Sequence, residues 1–513
     1  MQVVTGEEMR EMDRHAMDDL GMKEELLMEN AGRQAAHALE KKSAPAAGMK
    51  TAVLIGKGNN GGDGFVLARV LQEKGWNVDT LLLSDADAFQ GAALYHKDLY
   101  ERCGFTWEYW SEKKSERIRK EYTLIVDAML GTGVKGELRQ PFKEAADVLK
   151  KAEGTVAAVD IPSGVPSGED PVPETAVQAD VTITLQCPKI SAYLQPASRF
   201  YGEVEAVDIG LPGKALRKER EKKQLWTGQD AAGTLERRSG DAHKGDHGRG
   251  LLIGGSAAMP GAIQMASKAC LYSGAGLLTA AFPSSAAAVP AGAPPEVMML
   301  PLQEENGYFS REVQTDDLSA DAYDAVAAGP GMGRGKGAEV LVKQLVEQAE
   351  GTLLLDADAL YFLPEHIEAL QQRRQPVVLT PHPGEMARLA GVSVGEVTQR
   401  RFSLSRETAV RYNCCIVLKG PHTLVTMPDG TQTINTTGNE ALARGGTGDI
   451  LTGMILGMIL KAQEIQPAVS NAVYLHGLAA DLAVQHEFDS YAMASTDIIS
   501  YLPPAFRSII SSL

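Results

Sequence analysis

At 513 residues the chain is too long for one ordinary core, which predicts two or three domains. With 44% apolar and 23% charged residues it has the composition of a soluble globular protein, and a formal net charge of −16 argues against general nucleic-acid or membrane-surface binding. Any anionic ligand must then be held by local N–H groups and a few cations.

The first residues, MQVVTGEEMREMDRHAM, are charged throughout and carry no signal-peptide apolar region. The runs TAVLIGKG, VDTLLLSD, YTLIVDAML, TVAAVDIPSG and DVTITLQCPK each read as a buried parallel strand. Helical patterns such as GDGFVLARVLQEKG lie between them. This alternation predicts a doubly wound α/β domain with ligands beyond the carboxyl ends of its strands.

The composition shifts at GLPG and the charged run KALRKEREKK, residues 214–223, where Glu219 and Glu221 interrupt the positive charge. That run reads as a linker, giving domains at 1–215 and 226–513 joined by 216–225. The same grammar then returns in GRGLLIGGS, AGLLTAAFP, YDAVAAGPGMG, GTLLLDADAL, QPVVLTPHPGE and CCIVLKGPHTLVT. An apolar helix beginning near Asp449 and a second, NAVYLHGLAADLAVQH, close the chain. The run ILTGMILGMIL is too short for a membrane span of roughly 20 residues. Five cysteines without CxxC spacing suit reduced thiols. A cytoplasmic protein without membrane attachment is expected.

In the first half, GKGNNGGDGF turns from a strand into a helix without GxGxxG spacing. Gly61 and Gly62 permit close backbone approach, Asn59 and Asn60 can donate or accept, and Asp63 can cap the helix. Asp127 follows one buried strand, and Asp160 and Ser163 follow another, so these groups converge at one sheet edge. Neutral oxygens with one carboxylate suit a weakly held monovalent cation better than zinc.

Together GNNGGDG, DAMLGTGVKGE and DIPSG resemble the YjeF N-terminal domain, the NAD(P)H-hydrate epimerase family, over roughly residues 1–215. The resemblance implies a Rossmann-like three-layer fold and a potassium ion on Asp127, Ser163 and the asparagine pair, Asn60 rather than Asn59. It also implies substrate contacts at Asn59, Asn60, Gly61, Gly62, Asp63, Gly131, Thr132, Gly133, Val134, Lys135, Gly136, Glu137 and Asp160. The epimerising carbon carries a hydroxyl and the ring nitrogen, so it is a hemiaminal that reversible bond opening can scramble. Asp160 is the candidate acid/base group.

In the second half, Asp356 and Asp358 end one strand, and His382 sits between two prolines ahead of Glu385, where it caps, packs or meets substrate. In VLKGPHT, Lys419 can neutralise a phosphate. In ARGGTGDILTG, Asp449 opens the helix after a glycine approach. The helix N-terminus is expected to keep Asp449 ionised at neutral pH.

This set resembles the ribokinase-like superfamily, and within it the YjeF C-terminal family of ADP-dependent NAD(P)H-hydrate dehydratases. The motifs are HKGDHGRGLLIGGS, GPGMG, LDADAL, TPHPGE, KGPHT and GNEALARGGTGDILTG, over nearly all of residues 226–513. The resemblance implies hydrate contacts at Ala262, Gly331, His382 and Asp449. It implies ADP contacts at Lys419, Gly420, Pro421, His422, Thr423 and Gly448, with Mg2+ beside the phosphates. Asp449 orients the departing hydroxyl or removes a proton as water leaves.

The combined expectation is a bifunctional enzyme that epimerises hydrated NADH and NADPH and dehydrates the S form with ADP. Its partners are small molecules, and a homo-oligomer is expected, as for many small α/β domains. The alternative is an ATP-dependent hydroxymethyl-pyrimidine-like kinase with an N-terminal ligand-binding module.

Overall fold

The computed structural model describes all residues except 43–48, 135, 217–222, 236–238, 319–321, 461 and 512–513. The chain divides into two compact units, Gln2–Glu221 and Lys222–Leu513. Most of the charged run at 214–223 lies outside the described residues. Residues 223–225, assigned to the linker from charge alone, belong to a strand of the second unit.

The first unit is built on seven strands: β1 (Lys50–Ile55), β2 (Asn77–Leu82), β3 (Trp107–Tyr109), β4 (Leu124–Ala128), β5 (Thr155–Val159), β6 (Val181–Leu185) and β7 (Glu203–Val207). Their order is β3-β2-β1-β4-β5-β6-β7 and every pairing is parallel. The five expected strands form its middle. In β1, Val53 and Ile55 pack into one apolar cluster, while Ala52 and Leu54 pack into another on the opposite face. That alternation makes three layers, with both faces of the sheet covered. Helices α1 (Gly6–Arg14), α2 (Glu24–Lys42) and α3 (Asn59–Glu73) contribute to the first cluster. The strand order reverses between β1 and β4, which opens a crevice at their carboxyl ends.

The second unit holds a ten-stranded sheet. Its members are β8 (Lys223–Trp226), β9 (Arg249–Ile253), β10 (Leu277–Pro283) and β11 (Met298–Leu302), followed after a ribbon of β12 (Glu304–Glu305) and β13 (Tyr308–Phe309) by β14 (Ala325–Ala328), β15 (Thr352–Leu355), β16 (Val377–Leu379), β17 (Cys415–Leu418), β18 (Leu424–Thr426) and β19 (Gln432–Asn435). The order is β11-β10-β9-β14-β15-β16-β17-β18-β19-β8. It runs parallel from β11 to β17, and β18 then turns back antiparallel. The run CCIVLKGPHTLVT is therefore a hairpin, with KGPHT as its turn.

Five helices of this unit bear on its chemistry or its core: α4 (Pro260–Tyr272), α5 (Pro383–Ala390), α6 (Arg401–Tyr412), α7 (Thr447–Ile459) and α8 (Ile465–His486). The apolar run after Asp449 is α7, buried along nearly its whole length. Gly453 and Gly457, one turn apart, let it press on α4: a Cβ at Gly453 would stand 2.0 Å from the Ala266 carbonyl oxygen. Among the described residues no helix is long and apolar enough to cross a membrane.

Candidate active sites

In the first unit, the loops after β1, β4 and β5 meet. Asn59 is exposed at the start of α3 and donates to Glu24 Oε1 at 3.1 Å. Asn60 is buried; its Nδ2 donates to Leu130 O at 3.0 Å, and its Oδ1 has no hydrogen-bond partner. Asp127 is fully buried, with Oδ1 accepting from Ser163 Oγ at 2.6 Å and Oδ2 from Ser163 N at 2.8 Å. Ser163 Oγ in turn accepts from Leu130 N at 2.9 Å, so Asn60 and Ser163 both meet the backbone of Leu130. Burial pushes the Asp127 carboxyl up to about 6, against the hydrogen bonds from Ser163 and Met129.

Beside this cluster lies a cavity of about 390 Å³ lined by Asn59, Asn60, Asp63, Asp160 and residues 131–134. Asp160 takes a left-handed backbone (φ 66°), which L-residues adopt at a cost, and it lines the cavity. Its Oδ1 accepts from Lys189 Nζ at 2.6 Å and Leu185 N at 3.1 Å. The Lys189 side chain is fully buried and also donates to Cys187 O at 3.0 Å.

Other expectations for this site change. Asp63 does not cap the helix; α3 already begins at Asn59 with Gly58 as its N-cap, and Asp63 is buried within it. Burial raises its pKa well above the ordinary value, and Asp160 adds to the effect. The close approach expected at Gly61 and Gly62 is present, and it is to the protein itself: a Cβ would stand 1.7 Å from Gly56 O at the first and 2.3 Å from Met28 Sδ at the second. Gly136 and Glu137 do not line the cavity, and Glu137 Oε2 accepts from Thr175 Oγ1 at 3.0 Å. Lys135 lies outside the described residues.

The cavity also gains residues that no motif announced. Asp13 of α1 and Glu24 of α2 line it. Lys189 was visible only as the last residue of the run DVTITLQCPK.

In the second unit, the carboxyl ends of β14 to β17 supply the site. Gly331 has φ 63°, and a Cβ there would stand 2.9 Å from Ala262 Cβ, so the two expected hydrate contacts abut. Asp358 fixes this loop, accepting from Gly333 N at 3.0 Å and Arg334 Nε at 3.1 Å. Asp356 is almost fully buried. Its Oδ1 accepts from Lys419 Nζ at 2.8 Å and its Oδ2 from Thr452 Oγ1, on α7, at 2.6 Å. Lys419 is therefore already paired, and its ammonium keeps two further N–H donors. The pair shifts both partners toward their charged forms, although burial pushes each the other way.

Lys419 Nζ is 3.5 Å from where a Cβ of Gly448 would stand, which brings it beside the start of α7. There Asp449 is half-buried, and its pKa is pushed up to about 7 by burial and by the charge of Asp356, with Lys419 opposing. The expectation of an Asp449 held ionised by the helix N-terminus is corrected: lost hydration and a neighbouring carboxylate outweigh the dipole.

His382 is the N-cap of α5, its Nδ1 accepting from Gly384 N at 2.9 Å and Glu385 N at 3.2 Å. Its ring remains half-exposed, and burial of the rest lowers its pKa. The KGPHT turn rests on Arg401 of α6, a residue no motif revealed. The buried Arg401 guanidinium donates to the carbonyls of Leu418 at 3.0 Å and His422 at 3.2 Å. Thr423 Oγ1 donates to Gly420 O at 3.2 Å, which closes the turn around Pro421. Among the described residues no group of three His, Cys, Asp or Glu side chains is arranged to hold a metal ion.

Each half of the chain is similar to known proteins. Residues 250–504 match the family described as NAD(P)H-hydrate dehydratase, and residues 24–191 match the family described as YjeF-related protein N-terminus. A bifunctional NAD(P)H-hydrate repair enzyme of Moorella thermoacetica is 35% identical, the alignment covering 99% of this chain and 97% of that one. Its counterpart from Thermofilum pendens is 34% identical with the same coverage. Among solved structures, the ADP/ATP-dependent NAD(P)H-hydrate dehydratase of Bacillus subtilis, co-crystallised with ATP and Mg2+, is 35% identical. That likeness has a TM-score of 0.50 and covers 56% of this chain and 98% of that one.

Proposed function

The chain belongs to the bifunctional NAD(P)H-hydrate repair enzymes, and from that premise we propose that its first unit interconverts the R and S hydrates of NADH and NADPH. The second unit dehydrates the S form with ADP as nucleotide cosubstrate. One observation carries the reading. At each sheet's carboxyl edge a carboxylate is balanced by a lysine, Lys189 for Asp160 and Lys419 for Asp356, and Asp356 lies beside Asp449.

In the first unit the hydrate's ring enters the 390 Å³ cavity, where Asp160 exchanges protons at the hemiaminal while Lys189 holds its carboxylate in place. Contacts come from Asn59, Asn60, Asp63 and residues 131–134. The donor set of Asn60 Oδ1, Asp127 and Ser163 fits potassium: an unpartnered amide oxygen, a hydroxyl and a buried carboxylate. The ion would balance the charge of Asp127 and tie together the loops after β1, β4 and β5.

In the second unit the hydrate lies against Ala262, Gly331 and His382, with Asp449 at the reacting carbons. A carboxyl poised near 7 can take the proton from the carbon next to the one bearing the hydroxyl, so that the C–H pair becomes the restored double bond. It can hand that proton to the hydroxyl, which leaves as water with the C–O pair while the nitrogen lone pair assists its departure. The nucleotide lies along residues 419–423 and Gly448, its negative charge met by the remaining N–H donors of Lys419. Magnesium, held through the phosphates, would neutralise charge there.

The test is recovery of NADPH absorbance from its hydrates with ADP, with ATP and without nucleotide. Recovery that needs ADP supports the reading. ATP consumption without hydrate would put a small-molecule kinase in its place.

A further inference from the structure

The first unit's cavity holds a carboxyl that the epimerase reading leaves without a task. Asp13, in the last turn of α1, lines it together with Asp63 and Asp160. Among the described residues its side chain makes no hydrogen bond or ion pair. Asp160, in contrast, accepts from Lys189 at 2.6 Å. The groups facing Asp13 are Glu24 from α2, Asp63 from α3, Asp160 after β5, the buried Lys189 and the exposed Arg10 at the rim. Carboxyls outnumber cations in this pocket.

Asp13 and Asp63 are pushed toward their neutral forms, and the buried Lys189 is already engaged by Asp160. Among the described residues an anionic intermediate therefore meets no free buried cation in this pocket, whereas the carboxyl oxygens can face a positive charge. For a hemiaminal this selects between two ways of opening. Breaking C–N after loss of the O–H proton leaves negative charge on the ring fragment. Breaking C–O after protonation of the hydroxyl leaves a ring iminium cation and neutral water. The second needs a carboxyl that carries a proton, and two carboxyls in different environments divide such work between acid and base.

We propose that Asp13 is the acid of the epimerase site, protonating the departing hydroxyl of the hydrate, with Asp160 as the base that takes a proton from the water returning on the other face. The step balances. The Asp13 proton passes to the hydroxyl oxygen, the C–O pair leaves with water, and the nitrogen lone pair forms C=N⁺. Water then adds to that carbon and gives its proton to Asp160. Solvent exchange resets the two carboxyls. Burial, with the charge of Asp160 adding to it and Lys189 opposing, raises the Asp13 carboxyl to about 6, so it holds its proton to a higher pH than an ordinary carboxyl does.

The inference rests on the epimerase reading and is tested separately from it. The full chain, Asp13→Asn and Asp13→Glu are each given one NADPH hydrate epimer without nucleotide, and the epimer ratio is followed by chromatography between pH 5 and 8. Wild type is expected to slow as pH rises through about 6. Asp13→Asn should be slower by at least about 100-fold and without that limb, while still unfolding in one cooperative transition. Asp13→Glu should keep a limb, displaced in pH. Wild-type rate with the limb in place in Asp13→Asn overturns the proposal. Should Asp13→Asn not fold, an undisplaced limb in Asp13→Glu overturns it and a displaced one supports it. No exchange in wild type would instead overturn the epimerase reading itself.

Discussion

The buried Asp356 pairs with the partly exposed Lys419, Nζ to Oδ1 at 2.8 Å, at the ends of two strands of one sheet. The same carboxylate reaches Thr452 on α7, the helix that carries Asp449. Removing the carboxylate takes a charged hydrogen-bond partner from Lys419 and from Thr452, at a cost of about 2 kcal/mol. Asp356→Asn is expected to lose that much by denaturant unfolding. It also removes a repulsion from Asp449 and frees Lys419 to attract it, so the limb in dehydratase rate set by Asp449 should move to lower pH. An unmoved limb would show that Asp356 does not act on Asp449.

Asp449 has a second consequence, for stability. Its folded pKa of about 7 lies above its ordinary value of 3.8, so the folded protein binds that proton more tightly. The associated stability is complete below about 3.8 and is lost as pH rises through about 7. Asp449→Asn carries no such charge. Relative to wild type, its unfolding midpoint should therefore rise between pH 5 and 8, while dehydration falls by about 100-fold or more. A constant difference in midpoint across that range would contradict the assignment.

Arg401 carries the KGPHT turn through the backbone carbonyls of Leu418 and His422. Replacing it by Met leaves those carbonyls without a charged donor. We expect the KM for nucleotide to rise by about tenfold, with kcat at saturating nucleotide preserved. Gly420→Ala tests the same contact from the other side, since its Cβ would stand 2.9 Å from guanidinium nitrogens. An unaltered KM in both variants would remove Arg401 from the nucleotide site.

The unpartnered Oδ1 of Asn60 makes potassium testable without turnover. Exchanging tetramethylammonium chloride for potassium chloride at constant ionic strength should raise the unfolding midpoint of wild type. The same exchange should leave Asn60→Ala unmoved. Equal responses would take Asn60 out of the ion's coordination.

Much of the architecture was legible in the sequence, for physical reasons. A strand buried on both faces must be apolar throughout, so the central strands of both sheets stand out as runs. The edge strands Trp107–Tyr109, short and half-exposed, and Met298–Leu302, which contains Pro301, do not, nor does the interior strand Gln432–Asn435, buried yet polar. Site residues at strand ends, such as Asp160 and Lys419, were visible because the strand before them was. Asp13, Lys189 and Arg401 were not, since each reaches its site only through tertiary packing. The protonation of Asp449 was not legible because it depends first on burial and then on the charge of Asp356, remote in sequence, and both arise only in the folded chain.

The central claim is that two sites in one chain serve one repair, and the yield of NADPH from a mixture of both hydrate epimers tests it most directly. With ADP, wild type should restore the whole pool, Asp160→Asn should stop at the S fraction apart from slow spontaneous exchange, and Asp449→Asn should restore almost none. Full recovery by Asp160→Asn at the wild-type rate, or a wild type that stops at the S fraction, would contradict the account.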